Sequence, residues 1–600
     1  MRTSRFCGSF KRPLGRAVRS ATNTGGGCVF FTGNTTRMRP LLSLLLTGVS
    51  ITATAQPLAH AWANRVGGPE IGEKLWRCAV DESGNVYAAG SFRGTFSDQG
   101  ISVSSVGGSD ILLVKYGPNG QLLWARSAGG PLNDGAFGVE SDKDGNVYIV
   151  GAYSGLAIFE DTLISNLDPD GVNLPFSFIA RYSPVGDLRW VRTVDTEIPP
   201  SNYPFNIAYG IKLDRVGDLV VTGSYNCAIP STGDPDLSTM SFGGFPFRTS
   251  TLSSYDQVYA QKIDTLGNTE WVHSVGAIQG LGTLQSVAFD AQNNIWLGGI
   301  MLGTLDFISG PVTAEGNGTA RQGLVYQLSP AGDPLSAFLI DASTESNVED
   351  LIVANNGELF LSGWHKGSLN GSPAASGYDG YFMRTTPAGV PIWTNLLTGI
   401  GDDFFSGIAT TTEPNEVVGG ALYFFQAEFA GTELSQSAGT NSALIRMDTM
   451  GMVLEVVQPE VLSGSTLIAD VQSDIFGNFY LCGDISGQAV FTNDTISCSS
   501  QDMYVCKISP QEPVSVRETK VVADGPRLFP NPANDQVLLE YGGRGRPLVE
   551  VRDALGRLVL RTAVSGKLTS IDVNSLNPGT YHVTIGEGAT RSAAQLLIAR

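Results

Sequence analysis

The residue types that carry most protein chemistry are few in this chain and widely spaced. Its four histidines, His60, His273, His365 and His582, share no metal-binding spacing. His-Glu-x-x-His, Cys-x-x-Cys, Gly-x-Ser-x-Gly and a phosphate-cradling Gly-rich loop are all absent. The sequence therefore nominates no zinc site, no hydrolase nucleophile and no nucleotide site, and no catalytic residue, metal or cofactor is assigned. Two stretches, Asp142-Lys-Asp144-Gly145-Asn146 and Asp168-Pro-Asp170-Gly171, begin like calcium loops. Their twelfth positions hold Tyr153 and Ile179 instead of a bidentate Glu, so turns are the expected structure. Asp110, Asp256, Asp379 and Asp502 recur just before apolar runs, where Asp caps turn amides; a bound ion is the alternative. Trp124, Trp190, Trp271 and Trp393 could stack on sugars, but a Trp repeated at one strand position points to packing.

The elements that must hold these residues are repeated. The phrase DESGNVYAAG ends at Gly90 and DKDGNVYIVG at Gly151, and weaker copies end at Gly223, Gly299, Gly363, Gly420 and Gly483. The closing glycines are 61, 72, 76, 64, 57 and 63 residues apart, which makes seven units of about 65 residues. Each unit reads as four short strands, A to D. Strand A precedes the phrase and strand B is its Val-Tyr stretch. Strand C resembles ILLVKY at 111–116, and strand D carries the Trp, which is lost in the fourth and sixth units to PLSAF and MVLEV. Turns such as Gly-Pro-Asn-Gly120 and Ser-Pro-Val-Gly186 join C to D, with Pro presetting φ and Gly accepting φ > 0. The seventh unit lacks strand D, while an unattached D-like strand around Trp62 precedes the first unit. The two fragments complete one another, which predicts a closed seven-bladed β-propeller over 56–508.

The Trp-x-x-x-x-Gly-Gly opening, the Asp-x-x-Gly-Asn-Val-Tyr-x-x-Gly phrase and the Asp-x-x-Leu-Val-Lys-Tyr strand resemble the bacterial SBBP β-propeller repeat. That resemblance implies an extracytoplasmic propeller and carries no shared catalytic residues. Residues 509–525 read as a linker. Beyond it, 526–600 holds about seven short alternating strands, the pattern of a small Ig-like β-sandwich. Phe529-Pro530-Asn531-Pro532, Asp553 with Gly556, Gly579 with Tyr581, and a final apolar strand are similar to the type A C-terminal sorting domain of type IX secretion. The resemblance implies that 526–600 engages the type IX machinery and sends the protein to the outer-membrane surface or the medium. The ending Ile598-Ala-Arg600 lacks the Lys-rich finish of many members.

Composition fits that destination. Residues 1–55 hold eight Lys/Arg and no acid. Met38-Arg39, the apolar run Leu41–Ile51 and Ala53-Thr54-Ala55 form a signal peptide over 38–55, with cleavage expected between Ala55 and Gln56. Met38 is taken as the true start, and no later segment is apolar enough to span a membrane. Residues 56–510 carry 48 acids against 19 bases, a net of −29, which disfavours nucleic acid and anionic lipid as partners. Residues 526–600 carry 6 acids and 9 bases, a net of +3. Cys482 and Cys506 fall on neighbouring strands, where one disulfide could form. The long inserts at 160–175 and 225–255, the latter with Tyr225, Phe242, Phe245 and Phe247, are the expected ligand face. The expected function is binding of a polysaccharide or protein by a displayed propeller. A secreted hydrolase or lyase with a site at the channel is the alternative.

Overall fold

The computed structural model describes residues 56–599 except 69–72, 167–172, 197–203, 228–239, 249–255, 308–309, 315–319, 373–376, 512–525, 542–546, 554–556 and 586–591. The signal region to Ala55, the loop at Asp168 and Asp170, most of the linker and Gly556 lie outside the described residues.

Seven four-stranded antiparallel blades form a closed ring. Their inner strands are Lys74–Val80, Gly135–Ser141, Phe205–Leu213, the second half of Thr269–Phe289, Glu345–Val353, Phe404–Thr410 and Glu460–Ser473. The strand Leu58–Val66 pairs antiparallel with Asp494–Pro510, with Trp62 opposite Lys507 and Val66 opposite Met503. It is the outer strand of the last blade, so the N-terminal strand closes the ring.

One device recurs at five of the seven blade junctions, the exceptions being those led by the Trp-free outer strands Pro334–Ile340 and Val453–Val457. Trp62 Nε1 donates to Pro118 O at 3.0 Å, Trp124 to Pro184 O at 3.1 Å, and Trp190 to Thr265 O at 3.1 Å. Trp271 donates to Pro330 O and Trp393 to Thr449 O in the same way. Each acceptor lies in the C–D turn of the following blade. The glycine ending that turn must be Gly twice over. Gly120 has φ +80°, and a methyl group there would come within 2.9 Å of the Trp62 ring. The repeated Trp is therefore a packing residue, and the closing junction uses the same link as four of the others. Tyr hydroxyls add a second tie: Tyr87 Oη donates to Gly145 O and Tyr480 Oη to Gly84 O.

Some strands run longer than the sequence suggests. Thr269–Phe289 serves both the third and fourth blades without a break, because its middle pairs with an extension of Ile295–Phe307. The B–C hairpins of the even blades reach back onto the preceding blade: Ile158 stands opposite Gly129, and Leu397 opposite Phe429. Past the linker, Arg527–Phe529, Gln536–Glu540 and Leu568–Asp572 form one sheet. Leu548–Arg552, Leu558–Ala563, Gly579–Ile585 and Ser592–Ile598 form the other, and Val537, Leu539, Val551, Val583 and Leu596 are buried between them. This is the small Ig-like sandwich. Among the described residues, no helix is long and apolar enough to cross a membrane.

Candidate ligand-binding channel

The inner strands share a feature that sequence reading did not find. Each carries a β-bulge at the equivalent position, between Leu75 and Arg77, Ala136 and Gly138, Ala208 and Gly210, Leu284 and Ser286, Val348 and Asp350, Phe405 and Ile408, and Ile468 and Asp470. A bulge re-aims the extra side chain and recurs beside functional sites. The extra residues, one per blade, make a ring at one level of the channel: Trp76, Phe137, Tyr209, Gln285, Glu349, Ser406 and Ala469.

The ring is two-sided. Trp76 and Phe137 meet edge to face at 5.7 Å, and Phe137 and Tyr209 lie 5.6 Å apart, so three consecutive blades present a continuous aromatic arc. Trp76 is 37% exposed, and Lys74 Nζ sits 5.1 Å over its ring. The polar arc follows. Gln285 Nε2 donates to Glu349 Oε2 at 2.8 Å, and Glu349 Oε1 accepts from Asn347 Nδ2 and Trp364 Nε1.

Beside the ring lies a cavity of about 440 Å³, lined by Arg77, Glu140, Tyr209, Lys212, Gln285, Asp350, Asp470 and Gln472 among others. Its size suits a small ligand of a few rings. Lys212 Nζ lies 3.1 Å from Glu140 Oε2, and that carboxylate raises the Lys212 pKa above the usual lysine value. Burial works against the charge on Arg77, but Asp470, Asp350 and Glu349 outweigh it. Burial also raises Glu349, against the pull of Arg77 and its hydrogen bonds, and lifts Asp470 to about 6. Two of these carboxylates are committed to the fold. Asp350 accepts the Ile408 amide at 3.0 Å and Asp470 the Cys78 amide at 3.0 Å, each on the next blade's bulge. The only legible sign of this wall was charge at Arg77, Glu140, Lys212 and Glu349 in otherwise apolar inner strands.

The sites read from sequence are placed as follows. Asp142 accepts the amides of Asp144 and Asn146, the Asn146 side chain and the Tyr148 hydroxyl, which makes it the anchor of a turn. Three of the four insert aromatics turn inward: Tyr225, Phe242 and Phe247 are buried, and only Phe245 is exposed. His273 is bonded to Tyr326 and His365 to Gly367 O, inside the blades. In the terminal sandwich, Asn531 Nδ2 donates to Gln595 O at 2.7 Å and its Oδ1 accepts from Leu597 N at 2.8 Å. The Phe529–Pro532 motif thus pins the last strand. Asp553 holds its turn through Arg557, and Tyr581 Oη donates to Asn577 O.

The recurrent Asp before strand C meets a second acid at three junctions. Asp110 faces Asp134, Asp379 faces Asp403, and Asp502, paired with Arg65, faces Glu73. Gly129 belongs to the Trp-x-x-x-x-Gly-Gly opening, and a methyl there would come within 2.8 Å of both Asp110 and Asp134. Burial lifts Asp110, Asp134 and Asp379 to about 6, and Asp403 and Glu73 to about 7. Between about pH 4 and pH 7 these carboxyls therefore hold protons in the folded chain that they release in the unfolded one, and stability falls as pH rises through that window, opposed in part by His60, His273 and His365, whose pKa values burial lowers. A displacement of one pH unit in such a group is worth about 1.4 kcal/mol. The thermal midpoint is expected to be several degrees higher at pH 5 than at pH 8, and Asp403→Asn should flatten the slope. Scanning calorimetry across this range checks it; a midpoint that rises toward pH 8 would contradict the assignment.

Comparison with known proteins bears mainly on the end of the chain. Residues 527–599 match the secretion system C-terminal sorting domain family. That domain marks export by type IX secretion, to the cell surface or the medium. An uncharacterised WD repeat-containing protein of Acanthamoeba polyphaga mimivirus is 22% identical over 247 residues, 37% of this chain and 17% of that protein. The chain thus spans about a sixth of that relative's length. Among solved structures, puromycin hydrolase aligns with a TM-score of 0.38 at 10% identity, over 79% of this chain and 59% of that one. YCF48 with a bound peptide gives 0.34 at 9% identity (76% and 96%), and the polysaccharide lyase Uly1 gives 0.32 at 12% (74% and 90%). Likenesses of this size leave the activity of the chain unaddressed.

Proposed function

We propose that this type IX-exported propeller is a carbohydrate-binding protein whose ligand seats at the channel mouth. The observation that carries the reading is the two-sided ring. Trp76, Phe137 and Tyr209 offer apolar faces for a sugar ring, and Gln285, Glu349 and Ser406 offer hydrogen-bonding groups for its hydroxyls. The fold leaves Trp76 exposed and Phe137 and Tyr209 half-buried. The repeat phrase supports reading the blades as SBBP-type units. The test is a screen of residues 56–511 against a glycan array and a panel of matrix proteins. Selective glycan binding is expected; binding confined to proteins would overturn the carbohydrate reading.

A second reading, a hydrolase or lyase at the same channel, rests on Glu349. Its pKa is raised and it stands near Arg77, as a general acid could. Release of reducing ends from an array-positive polysaccharide, abolished in Glu349→Gln, would establish it.

A further inference from the structure

The last blade meets the first across two buried thiols. Cys78 lies on the bulged inner strand of the first blade, and Cys482 lies on strand B of the seventh, Phe479–Phe491. Both are packed into one apolar cluster with Val66, Met503 and Val505. Cys506 is on the strand beside Cys482, but a Cys482–Cys506 bridge is not the one this geometry favours. Cys482 stands opposite Val505 and Cys506 opposite Leu481, so the two thiols leave opposite faces of the sheet. Cys506 packs instead with Leu481 in the cluster on the other face. The Cys78 thiol points across the junction, 3.8 Å from Tyr480 O, two residues before Cys482 on the same strand and thus on the same face of the sheet.

We propose that Cys78 and Cys482 are a modification site, oxidised to a disulfide that staples the first blade to the seventh during export. The sorting domain takes the chain through an oxidising compartment, where such bonds persist. One S–S bond forms and two S–H bonds break. The two electrons and two protons pass to the disulfide of a dithiol–disulfide oxidoreductase, which leaves as a dithiol. Burial raises both thiol pKa values in the closed ring and keeps them from solvent, so the exchange belongs to the open ring, before Leu58–Val66 docks. The bond links residues far apart in sequence and would lock the closure that strand pairing alone makes.

The test is peptide mapping of the full chain recovered from an oxidising export host, alkylated under denaturing conditions without reductant. The expected result is a linked peptide pair containing Cys78 and Cys482, with Cys506 alkylated, and an intact mass lower by two hydrogens. Cys506→Ala should keep the link and Cys482→Ser should lose it. Should Cys482→Ser fail to fold, the map of the unaltered chain still decides. Alkylation of both Cys78 and Cys482, or a link between Cys482 and Cys506, overturns the proposal.

Discussion

A chain ending at Gln511 is expected to fold and remain in the periplasm, while the full-length chain reaches the surface or the medium. The ring needs nothing beyond Gln511. Leu58 pairs with Pro510, and the Gln511 amide donates to Pro57 O at 2.7 Å. The buried clusters of the closing blades end at Ile508, whereas the core of the terminal sandwich runs from Ala533 to Ile598. Two separate cores predict two separately folding modules, and the sorting match falls wholly in the second. Loss of the second should then abolish surface delivery with little change in the melting of the ring. Fractionation of both chains in a host with a working type IX system measures it. Equal export of the truncated chain would make the terminal module an ordinary sandwich.

Removal of residues 58–66 is expected to open the ring. Strand Asp494–Pro510 would lose its partner over the Leu58–Val66 register and present an unpaired edge. The first blade would lose Trp62 from above Gly120, together with its bond to Pro118 O. Trp62→Ala isolates the packing part of this effect and should cost about 3–5 kcal/mol, the usual range for a buried Trp. The deletion should cost more and add aggregation. Denaturant melts of the ring, the point variant and the deletion, with light scattering, give the comparison. An unchanged midpoint for the deletion would rule out closure by this strand.

The sequence made the ring visible because blade architecture is local. The Asp-x-x-Gly-Asn phrase, the Pro-Gly turn and the Trp each sit inside one unit, and the missing strand D after Ile508 matched the surplus one at Trp62. The channel was not visible because it depends on register. A bulge is an extra residue opposite its partner strand, and nothing in LWRCAV or AYGIKL marks Trp76 or Tyr209 as that residue before the pairing is known. The acid pairs were hidden for a related reason. Asp134 lies near Asp110 in sequence, but Glu73 meets Asp502 only once the ring has closed. Cys482 and Cys506 were correctly placed on neighbouring strands, and a one-residue difference in register put them on opposite faces. Of the insert aromatics, Tyr225, Phe242 and Phe247 join the core of the blades, and Phe245 stays at the surface.

Calorimetric titration of the best array glycan decides whether the bulge ring seats the ligand. The four proteins to compare are the unaltered ring, Trp76→Ala, Tyr209→Ala and Phe245→Ala. Truncating an aromatic anchor in a binding site typically costs 1–3 kcal/mol or more, about tenfold or greater in affinity. That loss is expected for Trp76→Ala and Tyr209→Ala, with Phe245→Ala, the exposed insert aromatic, binding as the unaltered ring does. Full affinity in the two channel variants, with binding lost in Phe245→Ala, would move the site to the insert loops and contradict a seat at the bulge ring.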